Sequence, residues 1–259
     1  MKNKFFPGVG FFVLLAAMVI FLLAMAGIVY QLFVSSPQRA FNLDRIIFAV
    51  KLSLITSGTA AFLSILLAIP SGYVLSRYNF FGKKIVEAVL LLPMVISPTA
   101  MGAILLIFFN TPAGKLIEKI FGPIVFDVRG IILAQVVIVF GLAVTLVKTV
   151  FDYTEKEYED IARTLGATEN QMFLRISLPM AKKGILVAII LVWARALGEF
   201  GATVTLAGAT TFKTETLPVA IFLSLASADV HLTIIYIILS LAMAGAILFL
   251  LKVSTERRH

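Results

Sequence analysis

Apolar residues in this chain do not alternate with polar ones; they run on. Six stretches almost free of charge cover residues 8–33, 46–75, 85–109, 130–150, 184–209 and 232–251. A helix needs roughly 20 largely apolar residues to cross the hydrocarbon core of a bilayer. Continuous runs of that length exclude lipid-facing β-strands, whose apolar positions alternate over short segments. Helices also satisfy their own backbone hydrogen bonds, which lipid cannot do. The pattern predicts an all-α integral membrane protein with about six transmembrane helices. The first run, with Lys2 and Lys4 before it, exceeds the 7–15 residues of a signal-peptide core and is expected to be a retained helix.

The polar positions are as informative. The longest polar connection, residues 151–183, joins the fourth and fifth apolar stretches. Within it the run from Glu155 to Gly166 predicts a short amphipathic helix, its acids placed early where the helix dipole favours them. Tyr158, Ile161 and Leu165 recur at helical spacing as an apolar stripe, and Gly166 supplies a left-handed stop. Thr168-Glu169-Asn170-Gln171 has the form of a capping box that opens a second helix. Met172, Phe173 and Ile176 give that helix an apolar side, and Pro179 is expected to end it. Two short helices with a fixed elbow make a rigid protrusion.

The loops 38–45, 111–129 and 210–230 fall on the opposite side, the second punctuated by Pro112, Gly114, Gly122 and Pro123. Pro70, Pro93 and Pro98 lie within or near the spans, where a broken hydrogen bond persists only if protein or a water-filled cavity covers it. Such prolines mark either a kinked helix beside a translocation path or an ordinary membrane-helix kink. Neither a repeat nor a low-complexity linker divides the chain. Residues 1–259 read as one transmembrane domain, with an N-terminal helix and outer loop (1–45), a core (46–252) and the polar elbow loop (152–183).

Composition agrees and adds a direction. Hydrophobic residues make up 60% and charged ones 14%, against about 25% charged in soluble domains. With both ends cytoplasmic, the inner segments hold fourteen Lys and Arg, including Lys2, Lys4, Arg77, Lys148, Arg257 and Arg258. The outer segments hold seven, including Arg39, Arg45, Lys119 and Lys213. That asymmetry predicts a multi-pass protein of the cell membrane with both termini cytoplasmic. It also explains the net charge of +8 without a nucleic-acid partner. The absence of cysteine removes disulfides and thiolate metal sites.

Candidate chemistry is sparse. Arg195 and Glu199 lie inside the fifth stretch, four residues apart and so able to pair on one helical face. A charge near the bilayer centre costs roughly 2.5–3.5 kcal/mol on insertion scales and faces protein or water. Ala194, Gly198 and Ala202 form a small-residue stripe beside them that lets another helix approach. Two roles stay open: Arg195 lends positive potential to an anion path, or the pair fixes helix position. Thr99, Thr111, Thr203, Thr205, Thr210 and Thr211 offer hydroxyls either to an oxyanion or to their own backbone. His231 and His259 lack a partner at ligand spacing, so no metal site is expected.

No Gly-x-x-x-x-Gly-Lys-Ser/Thr loop occurs, so ATP and Mg are expected on a partner chain and no cofactor on this one. An intramembrane serine protease would have only His231, at a span edge, as its base. An ion-coupled secondary transporter would show repeated halves.

The elbow loop carries a family pattern. Asp160-Ile161-Ala162 is followed after three residues by Gly166, and nine residues later by Ile176-Ser177-Leu178-Pro179. This resembles the cytoplasmic signature of ABC importer permeases, Glu-Ala-Ala, three residues, Gly, nine residues, Ile-x-Leu-Pro. Here Asp replaces Glu and Ile the first Ala. The resemblance implies a coupling-helix loop that docks into a groove on a separate ATPase. Its docking residues would be Glu157, Tyr158, Asp160, Ile161, Ala162, Leu165, Gly166, Ile176, Leu178 and Pro179.

The run from Trp193 to Thr203, the run Lys213-Thr214-Glu215-Thr216-Leu217-Pro218, and Leu92-Pro93-Met94-Val95-Ile96-Ser97-Pro98-Thr99 are similar to molybdate/tungstate permeases. Sulfate permeases share a Leu-Gly-Glu-Phe-Gly run. The resemblance implies a transport subunit, not an enzyme: a homodimer with two ABC ATPases and an extracytoplasmic oxyanion-binding protein. It would move molybdate or tungstate by alternating access, with sulfate or thiosulfate as the alternative cargo. Arg195, Gly198, Glu199, Pro93 and Pro98 are the expected translocation-path or interface residues.

Overall fold

The computed structural model describes residues 5–34 and 42–256, and all regular structure among them is helical. Twelve helices follow one another: α1 (Phe5–Val34), α2 (Leu43–Arg77), α3 (Lys83–Val95), α4 (Pro98–Phe109), α5 (Pro112–Phe121), α6 (Val128–Asp152), α7 (Glu157–Thr164), α8 (Glu169–Met172), α9 (Leu178–Leu197), α10 (Gly201–Ala207), α11 (Leu217–Ala226) and α12 (Val230–Glu256). A π-helical turn, Phe173–Ser177, joins α8 to α9. Lys2, Lys4, Arg39, Arg257, Arg258 and His259 lie outside the described residues.

Five of the helical segments are long and apolar enough to cross a membrane, or six if α3 and α4 count as one span. The third apolar stretch is therefore not the single helix its composition predicts: α3 and α4 meet at 107°. Pro98 is the cause. A residue before proline is pushed out of the α region, and Ile96 and Ser97 both have ψ near 140°. Ser97 then caps α4 by accepting the N–H of Ala100 at 3.2 Å, while Pro98 takes the first helical turn, where its missing donor costs nothing. Pro70 and Pro93 lie inside helices that continue past them.

The fifth stretch also divides. α9 ends at Leu197, and the chain restarts as α10 at Gly201. Ala202 consequently leaves the stripe of Ala194 and Gly198 and packs under α4, where a Cβ on Gly102 would lie 2.8 Å from the Ala202 carbonyl.

α2, α6 and α9 form the centre. α6 buries Ala134, Ile138, Val139, Ala143, Val144, Val147 and Phe151 against Ala60, Ala61, Ile65 and Ala68 of α2 and Ala181, Ile185, Ala188 and Val192 of α9. Small residues on α2 let the backbones close in, which matters because lipid tails compete for every apolar surface and tight packing has to drive association. α2 and α6 approach closely at Gly72, where a Cβ would sit 2.8 Å from the Lys148 nitrogen. Below it Tyr73 wedges between Phe151 and Phe173, with ring centroids 5.3 and 4.8 Å away. α12 packs on α11, burying Tyr236 against Ile46, Ala49, Leu217 and Ala220. None of the span assigned to α1 is buried, as expected of a helix facing lipid.

Candidate docking elbow and translocation path

The elbow forms as its sequence dictates. α7 carries Glu157, Glu159 and Asp160 in its first turn. It closes in a Schellman motif: Gly166 stands at φ +82°, its N–H bonds Arg163 O at 3.1 Å, and Ala167 N–H bonds Ala162 O at 3.0 Å. Two residues on, Thr168 and Gln171 make a reciprocal capping box, with Thr168 N–H donating to Gln171 Oε1 at 2.9 Å. The expected end at Pro179 does not occur. The π turn replaces the α ladder there, Leu178 N–H reaching Phe173 O five residues back. This puts Pro179 in the first turn of α9, where its absent N–H is tolerated. The elbow thus runs without interruption into the fifth span.

α7 shows two different faces. Tyr158, Ile161 and Leu165 are 50%, 56% and 82% exposed, leaving the apolar stripe uncovered, whereas Glu159 and Ala162 are buried. Glu157, Asp160 and Gly166 are exposed with the stripe. Of the other docking candidates, Ile176 and Leu178 are half-buried, Leu178 against the central core, and Pro179 is exposed. Ala162, Ile176 and Leu178 therefore hold the elbow to the body, and the outward edge belongs to Tyr158, Ile161 and Leu165.

The attachment of that helix is not apparent from the sequence. Glu159 receives Arg77 Nε at 2.9 and 3.0 Å on its two oxygens, Arg77 Nη2 at 2.9 Å and the Ser177 hydroxyl at 2.8 Å. Both charged side chains are almost fully buried. Beside them, the Tyr78 hydroxyl donates to Glu169 Oε2 at 2.7 Å, and this bond to a carboxylate pushes Tyr78 up to about 12. Arg163 links Asp160 and Glu169 at the surface, both at 3.3 Å. The one sequence signal is that Glu159 shares a helical face with Ala162 rather than with its acidic neighbours.

Arg195 and Glu199 pair as their spacing predicts, Nη1 to Oε2 at 2.8 Å. The setting differs from a continuous helix. Glu199 lies in the break between α9 and α10, wholly buried, and its second oxygen accepts the N–H of Ala202 at 3.0 Å. Arg195 remains 40% exposed and makes no other hydrogen bond among the described residues. Gly198 and Ala194 line an apolar cavity of about 390 Å³ between α9, α11 and α12. The Pro93 and Pro98 side chains are half-buried, and Leu91, Leu92, Met94 and Val95 around them point out of the chain. Thr111 and Thr205 donate to Phe108 O and Gly201 O, both at 2.7 Å, the self-bonded alternative for membrane threonines.

A second buried pair joins elements far apart in sequence. Arg45 meets Glu215 at 2.6 Å, with Glu215 fully buried, and Ser53 Oγ accepts the N–H of Leu217 at 2.7 Å. Together they tie the loop before α11 to the first turns of α2. On α5, Glu118 accepts the N–H groups of Val125 and Ile124 at 3.0 and 2.8 Å, which holds its carboxyl below the usual range. No cluster of three or more His, Asp or Glu side chains suited to a metal ion occurs among the described residues.

An elbow with an uncovered apolar edge calls for a second protein, and the bundle behind it is built of long apolar helices broken in two places. Such a chain is built to span a membrane. Residues 60–258 match the binding-protein-dependent transport system inner membrane component family, and the chain belongs to it. It is 36% identical over 177 residues to the molybdenum transport system permease protein ModB of Escherichia coli K12, covering 67% of this chain and 77% of that one. It is 32% identical over 205 residues to the molybdate/tungstate transport system permease protein WtpB of Methanocaldococcus jannaschii, covering 78% and 79%. A solved bacterial ABC transporter for import of the acidic polysaccharide alginate shares the fold. That chain superposes on 100% of this one and 99% of its own length, with TM-score 0.77 and 19% identity.

Proposed function

We propose that this chain is the membrane subunit of an ATP-driven importer of tetrahedral oxyanions, with molybdate or tungstate as cargo. Two copies pair around one path. Two ABC ATPase subunits, carrying ATP and Mg, dock on the elbows in the cytoplasm, and an extracytoplasmic binding protein delivers the anion from the other side. Both termini lie with the elbow. The observation that carries this reading is the α7 stripe of Tyr158, Ile161 and Leu165, held rigidly and left uncovered. The cargo is supported by the names of the relatives.

On this reading Glu199 fixes the joint between α9 and α10. Arg195 uses one nitrogen for Glu199 and turns the remainder of its guanidinium toward the path, a weak anion attraction suited to a pore that must also release.

Reconstitution with the ATPase and binding protein in liposomes tests the proposal. Labelled molybdate uptake should require ATP and should be competed by tungstate more strongly than by sulfate. Uptake driven by sulfate or thiosulfate and indifferent to molybdate would reassign the cargo. Uptake independent of ATP would defeat the class.

A further inference from the structure

We infer that Glu159 is the joint through which movement of α7 reaches the membrane spans, an inference that rests on the docking role proposed for α7. An eight-residue helix is too short to persist alone in water. α7 buries only Glu159 and Ala162, and alanine offers little apolar area. Its main attachment is therefore one carboxylate.

That carboxylate reaches three spans at once. Arg77 is the last residue of α2. The same guanidinium donates through Nη1 to Phe151 O at 2.8 Å and through Nη2 to Thr154 O at 3.1 Å, at the end of α6. Ser177, which also donates to Glu159, is the last residue of the turn from which α9 begins. A planar guanidinium bonded at fixed angles resists sliding, as an apolar seam would not. Burial of both side chains keeps solvent from screening the pair. A displacement of α7 is therefore shared by α2, α6 and α9 together. The surface chain Arg163–Glu169–Tyr78 runs in parallel, but exposed pairs of this kind contribute little.

The distribution of residues around α7 fits a lever. The stripe of Tyr158, Ile161 and Leu165 receives the push, and the opposite face holds the pivot. Glu159 is thus a positioning residue, distinct from those that touch the ATPase.

The test uses the complete complex in liposomes. Glu159→Gln keeps the side-chain size and removes the charge. It should assemble with the ATPase at wild-type stoichiometry, while uptake and the stimulation of ATP hydrolysis by molybdate-loaded binding protein fall about tenfold, within the usual range for coupling between sites. Arg77→Lys, whose single ammonium cannot serve the carboxylate and both carbonyls, should lose less in the same direction. A spin label at Thr164→Cys should stay ordered in both. Wild-type uptake by Glu159→Gln overturns the inference. So does failed assembly with a freely mobile label, which would make the pair a structural stay only.

Ile161→Asp reports on docking separately, because it spoils the stripe and leaves the joint intact. It should abolish assembly. Normal assembly and uptake by Ile161→Asp would remove the docking role and the inference with it. Failed assembly there, beside wild-type uptake in Glu159→Gln, would remove the joint alone.

Discussion

Changing Arg195 and Glu199 singly and together separates a structural pair from an anion-attracting one. Arg195→Gln strips the buried Glu199 carboxylate of its cation and leaves it the Ala202 N–H. Breaking a wholly buried pair costs about 3–5 kcal/mol. Solvent reaches the 40%-exposed Arg195 side chain, so a loss of about 2 kcal/mol is expected here. Glu199→Gln leaves a single carbonyl oxygen for two donors, Arg195 Nη1 and Ala202 N–H, and one unmet donor costs about 1–3 kcal/mol. In the double variant, the residue at 199 can accept from Ala202 and donate to the amide at 195.

The two losses should therefore not add, and about 1–2 kcal/mol should return as coupling energy. At roughly 2–4 °C per kcal/mol for a chain of this size, each single change lowers the melting temperature by about 4–8 °C, and the double change by about 4–12 °C where additive losses would give about 8–16 °C. Melting in detergent measures this, and molybdate uptake at matched complex levels measures the second role. Additive losses would refute the contact as described. Full uptake by the double variant would end the anion-path role of Arg195 and leave the structural one.

Other positions give four further expected outcomes. Gly166→Val should cost about 1–2 kcal/mol through its left-handed backbone alone, since no atom lies within 4 Å of an added Cβ; insertion should be normal and anion-coupled ATP hydrolysis reduced, with Gly166→Asn closer to wild type. Single cysteines at Asn79 (near Arg77) and Glu155 should label from the cytoplasm and those at Lys119 and Lys213 from outside, all four positions being exposed, and reversed labelling of position 119 would overturn the topology. The carboxyl of Glu118 is held below its usual value, so its contribution is complete above about pH 4.5 and fades as pH falls through the lowered value; amide exchange at Ile124 and Val125, corrected for intrinsic rate, should rise in acid and in Glu118→Gln at neutral pH. Mass measurement of the co-expressed complex should give two copies of this chain with two ATPase subunits, and a lone monomer would count against the assembly.

Much of the membrane fold can be read from the chain because its signals are local. Four of the six apolar runs each contain a helix long enough to cross a bilayer, the fifth crossing helix starts at Glu169 ahead of its run and ends inside it, and Gly166 and the Thr168–Gln171 box behave as their neighbours dictate. The boundaries that differ from expectation also have local causes. Pro98 starts a helix at a new angle where a kink is one expectation, because Ser97 before it is extended and caps α4. Pro179 ends nothing, because a π turn precedes it. Pairing over distance is what the sequence hides. Arg77 and Glu159 are 82 residues apart, and Arg45 and Glu215 are 170 apart. No periodicity connects such positions. In the sequence Arg77 counts only as a cytoplasmic charge and Glu159 only as an acid in a first helical turn, although each is half of a buried bond.

The π turn before Pro179 also makes the elbow sensitive to chain length. Each residue of a helix advances the heading by about 100° and the height by about 1.5 Å. Because α8, the turn and α9 form one unbroken helical column, the compass bearing of the docking edge is set by the number of residues between Thr168 and Pro179. Deleting a single residue there would swing α7 about 100° around the axis of the fifth span, and no side-chain replacement could turn it back. Apart from Thr168, Gln171 and Ser177, whose side chains make the bonds described, the segment should accept exchanges of residue type, but neither an insertion nor a deletion.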